Sequence, residues 1–205
     1  VTEPRRNIRV IVLGDSLVSA SGDPKGMGWI GRVIAKTPSN DPTIDFFALP
    51  VPEETSNDLA ERWAAELQRR LGSDTENRLV LALSNTDPMA GISISRSRLN
   101  LATILDEAKK SDIPAFVIGP APHRNPSLNY DIEHLASGYE DVANRREVPF
   151  VDIFRPLVGH EGWNSEISES PQGRPGQVGH GLIAWLVLNR GWYQWLEIPD
   201  PFQQN

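Results

Sequence analysis

The sequence predicts a single three-layer α/β/α domain on a five-stranded parallel sheet. Strand-like and helix-like segments alternate from end to end, which is the pattern of βαβ units. The strand-like segments are short runs dominated by β-branched and other apolar residues, as strands covered on both faces require. The clearest, Val10-Ile11-Val12-Leu13, runs straight into Gly14-Asp15-Ser16. That tight turn leaves a serine at the carboxyl end of a strand, where open α/β sheets hold their ligands.

The first strand spans Ile8 to Leu13, and Trp29 to Lys36 is a short helix. Thr43 to Leu49 is a second apolar extended run. Thr55 to Leu71 is an amphipathic helix, because Leu59, Trp63, Leu67 and Leu71 recur at every fourth position. Thr55 followed by Asp58 has the spacing of a capping box at its start. Leu79 to Leu83 is the third strand, and Ser97 to Lys110 is a helix that turns Leu101, Ile104, Leu105 and Ala108 inward. Pro114 to Ile118 is the fourth strand, closed by Gly119-Pro120. Asn129 to Arg146 is helical, and Pro149 to Ile153 is the fifth strand. Phe154 to Pro175, rich in Gly, Ser, Glu and Pro, is the longest irregular stretch, and long loops of this kind are often functional. A strongly apolar final helix covers Gly181 to Trp195 and starts about a turn earlier, near Gln177, leaving a tail of about 197–205.

A chain of 205 residues that is 39% hydrophobic and 23% charged buries most of its apolar surface in one domain, 1–205. A formal charge of −7 argues against a nucleic acid or an anionic membrane surface as partner, since both need a basic face. No window approaches the roughly eighteen consecutive apolar residues of a membrane span. The start, Val1-Thr2-Glu3-Pro4-Arg5-Arg6, lacks the apolar core of a signal peptide. Without cysteine there is neither a disulfide framework nor a thiolate metal site, so a cytoplasmic location is the default expectation. The histidines lack metal-ligand spacing, and no cofactor signature is present: Gly14 stands alone rather than in a dinucleotide or phosphate loop.

Gly14-Asp15-Ser16-Leu17 at the end of the first strand resembles the nucleophile block of the SGNH (GDSL-type) esterases and lipases. Gly22-Asp23-Pro24 and Gly28-Trp29-Ile30-Gly31-Arg32 strengthen the likeness. The resemblance implies a flavodoxin-like sheet and serine ester hydrolysis. In that chemistry a serine attacks the acyl carbonyl, a histidine takes its proton, and an aspartate orients the histidine. The serine amide, a glycine amide after the second strand and an asparagine after the third hold the oxyanion. Carried over, Ser16 matches the nucleophile and an oxyanion donor. Pro50 stands where the glycine block should be and has no N–H to donate. Thr86 falls at the asparagine position, and Asn85, one residue away, can serve instead. Pro171 falls at the orienting aspartate and Arg174 at the histidine. A guanidinium stays protonated and cannot act as a general base.

Ser16 therefore reads as a nucleophile or as a turn-capping hydroxyl. His123, His160 and His180 are the alternative bases: His123 follows the fourth strand on the same edge as Ser16, His160 lies in the long loop, and His180 sits on the last helix. His134 completes the set. Arg174 can bind an anion, or pair with a loop carboxylate such as Glu169 or Asp152. Trp185, Trp192 and Trp195 pack the last helix, or mark a homo-oligomer surface if they are exposed together. Three readings remain open. The first is a degenerate SGNH protein with weak or lost hydrolase activity and a retained cleft for a small ester or acyl ligand. The second is an active ester hydrolase with a non-standard base, and the third is a non-catalytic interaction module. The first ranks ahead because the replacements at 50, 171 and 174 strike separate parts of one mechanism.

Overall fold

The computed structural model describes residues 5–203 of the chain. Five parallel strands form one sheet in the order β2-β1-β3-β4-β5. They are β1 (Asn7–Gly14), β2 (Thr43–Pro50), β3 (Glu76–Ala82), β4 (Ala115–Ile118) and β5 (Phe150–Val151). The connecting helices are α1 (Gly28–Ala35), α2 (Ser56–Gln68), α3 (Ile94–Lys110) and α4 (Pro126–Asn144). Then follow α5 (Phe154–Val158), α6 (Glu161–Glu169), α7 (Gln177–Val187) and α8 (Tyr193–Leu196). The predicted single-domain α/β architecture is the one observed.

Alternation along the central strands builds two cores. Val10 and Val12 of β1, Val80 of β3 and Phe116 of β4 point to one face, where they meet Trp29 and Val33 of α1, Ile183 and Val187 of α7, and Trp192. Ile11 and Leu13, Leu79 and Leu81, and Val117 point to the other. There they meet Leu59, Trp63 and Leu67 of α2, Leu101 and Ile104 of α3, and Tyr139 of α4. No helix among the described residues is long and apolar enough to cross a membrane.

The expected capping box is present: Asp58 N–H donates to Thr55 Oγ1 at 3.2 Å, and Thr55 N–H donates to Asp58 Oδ2 at 2.9 Å. Helix α2 nevertheless stops at Gln68, so Leu71 lies beyond the inward stripe and is exposed. Helix α3 starts earlier than its apolar pattern because Ser93 caps it, and α4 starts earlier because Asn125 caps it with Pro126 in its first turn.

Two expectations need correction. The stretch 154–175 is not irregular. It holds α5 and α6, with the His160 ring capping α6 and Trp163 and Ile167 buried one turn apart, so only the segment after Glu169 is loop. The final helix is not continuous either. It breaks at Gly191, whose φ of +98° suits glycine, and resumes as α8. That break divides the tryptophans: Trp192 and Trp195 are 0% and 8% exposed, whereas Trp185 is 62% exposed. They form no shared exposed patch. The segment 197–203 turns through Glu197 and buries Ile198 before becoming exposed. The leader reading at Val1 to Pro4 and the last residues, 204–205, lie outside the described residues.

Candidate functional site

β1 and β3 are neighbours in space, but the connections leaving them run in opposite directions across the sheet. This is the switch point where such folds leave a crevice. The cleft there has a volume of about 190 Å³ and is lined by Asp15, Ser16, Asn85, Thr86, His123 and Arg174, with Leu17, Leu83, Met89 and Trp163 as its apolar wall. A roomier groove of about 570 Å³ beside α7 holds none of the catalytic or anion-binding candidates, being lined by residues such as Trp185, Tyr193 and Phe202. The structure thus gathers residues from four separate loops around Ser16.

Backbone packing places the serine. A Cβ at Gly14 would lie 2.7 Å from both the Ala82 carbonyl oxygen and the Val18 side chain, so only glycine lets β1 turn this closely against β3. Asp15 then caps a short 3-10 turn over Ser16–Ser19, accepting from the Leu17 amide at 3.0 Å. Ser16 is half-buried at the start of that turn, and its hydroxyl makes no hydrogen bond among the described residues. Burial pushes the Asp15 carboxyl above its ordinary pKa, while the Leu17 amide and the Arg174 charge pull the other way.

The neighbouring loops are held by polar ties. Glu54, buried, pairs with Arg62 of α2, and Arg62 also donates to the carbonyls of Leu49 at 2.9 Å and Gly14 at 3.3 Å. Pro50 pairs with Gly14 in the sheet register and does not line the cleft. Asn85 donates from Nδ2 to the Ala121 carbonyl at 2.9 Å, which leaves one N–H of its amide for a ligand. Thr86 lines the cleft beside it, its amide bonded to Ser84 Oγ at 3.3 Å. Next to the cleft, Asp87 is buried in a closed polar cluster. It accepts from the Ser56 amide at 2.7 Å, from Ser97 Oγ and from the Tyr139 hydroxyl at 3.3 Å, and Asn100 donates to Ser56 Oγ at 2.8 Å.

Arg174 sits on the loop between α6 and α7. Its guanidinium donates from Nη1 to Ser21 Oγ, across 153 residues of sequence. The pairing with Glu169 or Asp152 expected from sequence does not form: Glu169 accepts from Ser165 at 2.9 Å, and Asp152 pairs with Arg155 at 2.9 Å. Pro171, outside the cleft lining, offers only its carbonyl to Arg124, at 3.2 Å. Ser21 belongs to a loop organised by buried Asp23, which accepts from the Gly28 amide at 2.8 Å and pairs with Arg32 at 2.5 Å. Those contacts hold the Asp23 carboxyl far below the usual carboxylate range.

The histidines separate cleanly. His180 is fully buried outside the cleft: its Nδ1 accepts from the Trp29 amide at 3.0 Å, and its Nε2–H donates to the Ser21 carbonyl at 3.0 Å. His160 is likewise committed elsewhere, its Nδ1 accepting from the amides of Gly162 at 3.1 Å and Trp163 at 3.4 Å. His134 lies exposed on α4. Neither His160 nor His180 lines the cleft, and each ring holds a helix start in place. His123 does line the cleft. Its Nδ1 accepts from the Asn125 amide at 3.0 Å, which leaves the ring proton on Nε2, and burial together with the Arg124 charge lowers its pKa. That Nε2–H has no hydrogen-bond partner among the described residues.

Sequence reasoning missed Glu53, Gln172 and Trp163 in the lining and the anchoring role of Ser21. Glu53 stands in a left-handed turn at φ +55°, and no local pattern signals it. Among the described residues no group of three or more His, Cys, Asp or Glu could hold a metal ion.

A doubly wound parallel sheet with a turn-borne serine at its switch point defines a three-layer α/β/α protein whose crevice is the place for a ligand. Residues 12–182 match the model of the GDSL-like lipase/acylhydrolase family, and the chain belongs to that family. No curated protein sequence matches it. Among solved structures, the psychrotrophic esterase EstA from Pseudoalteromonas sp., inhibited by monoethylphosphonate, aligns with a TM-score of 0.69 at 17% identity, over 92% of this chain and 98% of that one. An acetylxylan esterase from Geobacillus stearothermophilus aligns with a TM-score of 0.69 at 14% identity, over 91% and 95%. TesA aligns with a TM-score of 0.71 at 19% identity, over 89% and 97%. At these identities the likeness is one of fold.

Proposed function

We propose that this chain keeps the family's serine cleft as a binding site for a small ester or acyl ligand, and that it has lost efficient ester hydrolysis. The observation that carries the reading is the state of His123. A serine nucleophile needs an unprotonated ring nitrogen facing it, with the other nitrogen donating to an orienting group. The Asn125 amide occupies the Nδ1 lone pair of His123, and the remaining nitrogen is protonated. A ring held in the wrong tautomer costs on the order of 10⁴ in rate even with the rest of the geometry intact. The resemblance puts Arg174, a residue of the cleft lining, at the base position, and a guanidinium holds its proton.

The ligand class follows from the family and from relatives that are an esterase inhibited by monoethylphosphonate and an acetylxylan esterase. The second reading, an active hydrolase using His123, is favoured by one fact: His123 and Ser16 share the cleft. Hydrolysis of p-nitrophenyl butyrate by the parent chain and by Ser16→Ala separates the two. Equal, background-level rates and no labelling by a fluorophosphonate probe are expected. Hydrolysis and labelling that vanish together in Ser16→Ala overturn the proposal.

A further inference from the structure

We infer that the ligand of the Ser16 cleft is a short-chain monocarboxylate, its carboxylate held by Arg174 and its alkyl tail laid against Leu17, Leu83 and Trp163. This rests on the binding reading above and specifies its ligand. Arg174 is half-buried at the cleft wall, and no carboxylate of the described residues lies within ion-pair distance of it. Its amide donates to Ser170 Oγ at 3.1 Å, and among the described residues its guanidinium has a single partner, Ser21 Oγ, which leaves the other guanidinium N–H groups for a planar, two-oxygen acceptor. Further donors in the lining are the Ser16 hydroxyl, the Nε2–H of His123 and the unused N–H of Asn85, beside the amide oxygens of Asn85 and Gln172.

Two acids share the lining and oppose an anion. Glu53 is exposed at the rim, where solvent screens it, and Asp15 is turned toward capping the Leu17 amide, with burial favouring its neutral form. Glu54 is paired with Arg62, and Arg124, on the loop between β4 and α4 and outside the lining, adds a positive charge packed against the loop carrying Gly173. The apolar wall argues for a tail on the anion, and a volume of about 190 Å³ limits that tail to a few carbons.

Titration calorimetry with sodium butyrate, butyramide and inorganic phosphate tests the assignment on the parent chain, Arg174→Gln and Arg174→Lys, each first shown to melt as the parent does. Butyrate is expected to bind the parent at least tenfold more tightly than butyramide and more tightly than phosphate. Arg174→Gln should erase the preference for butyrate over butyramide, and Arg174→Lys should restore part of it. Equal binding of acid and amide, phosphate binding as strong as butyrate, or no butyrate binding each overturns the inference. Butyrate has no ester bond, so its binding is read independently of turnover. Ester hydrolysis by Ser16 would instead strike the reading on which the inference rests.

Discussion

Two polar groups of residues lie side by side at the carboxyl edge of the sheet, and they are finished in opposite ways. In the Asp87 cluster each carboxylate oxygen has a donor, from α2, α3 or α4, and the whole is buried. Among the residues lining the Ser16 cleft, the serine hydroxyl, most of the Arg174 guanidinium and the His123 Nε2–H have no hydrogen-bond partner among the described residues. Buried polar groups are stable only when partnered, so the first cluster reads as architecture. Donors left unpaired beside a cavity are available to a ligand. The difference teaches which polar residues at this edge hold the fold and which are held by it.

The largest effect should come from opening the closed cluster. Asp87→Ala strands the Ser56 amide, Ser97 and Tyr139, and should lower unfolding free energy by about 3–5 kcal/mol, measured by urea denaturation. A loss below about 1 kcal/mol would erase the contrast between the two regions. Next comes His180→Ala, which removes two buried hydrogen bonds behind the cleft and should cost about 2–3 kcal/mol. His180 also sharpens the comparison through pH. Burial depresses its pKa in the fold, so the unfolded chain takes up the proton first. Its contribution is therefore undiminished above the ordinary histidine value of 6.5 and is lost as pH falls below it. Thermal melts between neutral and mildly acid pH should show this slope, reinforced by His123, and His180→Gln should flatten it.

Substitutions in the open cleft should cost least. Ser16→Ala and Arg174→Gln should each change stability by no more than about 0.5 kcal/mol, since neither leaves a buried partner unsatisfied. Asp15→Asn keeps an oxygen for the Leu17 amide and removes a carboxyl whose ionisation the fold disfavours. It should leave stability at neutral pH unchanged or raise it by up to about 1 kcal/mol. A marked loss in any of these three melts would move that residue into the architectural class.

Much of the frame was legible because it is written in local pattern. The apolar run Val10 to Leu13, the Thr55 and Asp58 capping pair and the four-residue spacing in α2 each point to their element without tertiary information. Helix α6 escaped because its apolar signal amounts to two residues, Trp163 and Ile167, set among Ser, Glu and Asn, and because its cap is a histidine ring. The break at Gly191 escaped because a glycine in an apolar periodic run does not announce a positive φ. At the site, sequence order could place Ser16, Asn85 and His123 on one edge. It could not pair Arg174 with Ser21, nor show that the Asn125 amide decides which His123 nitrogen carries the proton. Both facts arise from contacts made only when the loops close.

One clasp lies at the other edge of the sheet. Arg6 donates to the carbonyls of Leu196 at 3.2 Å and Glu197 at 2.8 Å and grips Glu76, while Arg78 pairs with Glu197 at 2.8 Å. The residues leading into β1 and those following α8 are therefore bolted together, and the eight-residue length of β1 sets them about 25 Å from Ser16. For protein engineering this makes Arg6 and Arg78 the residues to keep when either segment is altered, since each ties the strand side of the clasp to the stretch after α8. It also makes that edge, a strand's length from Ser16, the natural place to attach the protein to a surface with its cleft toward solution.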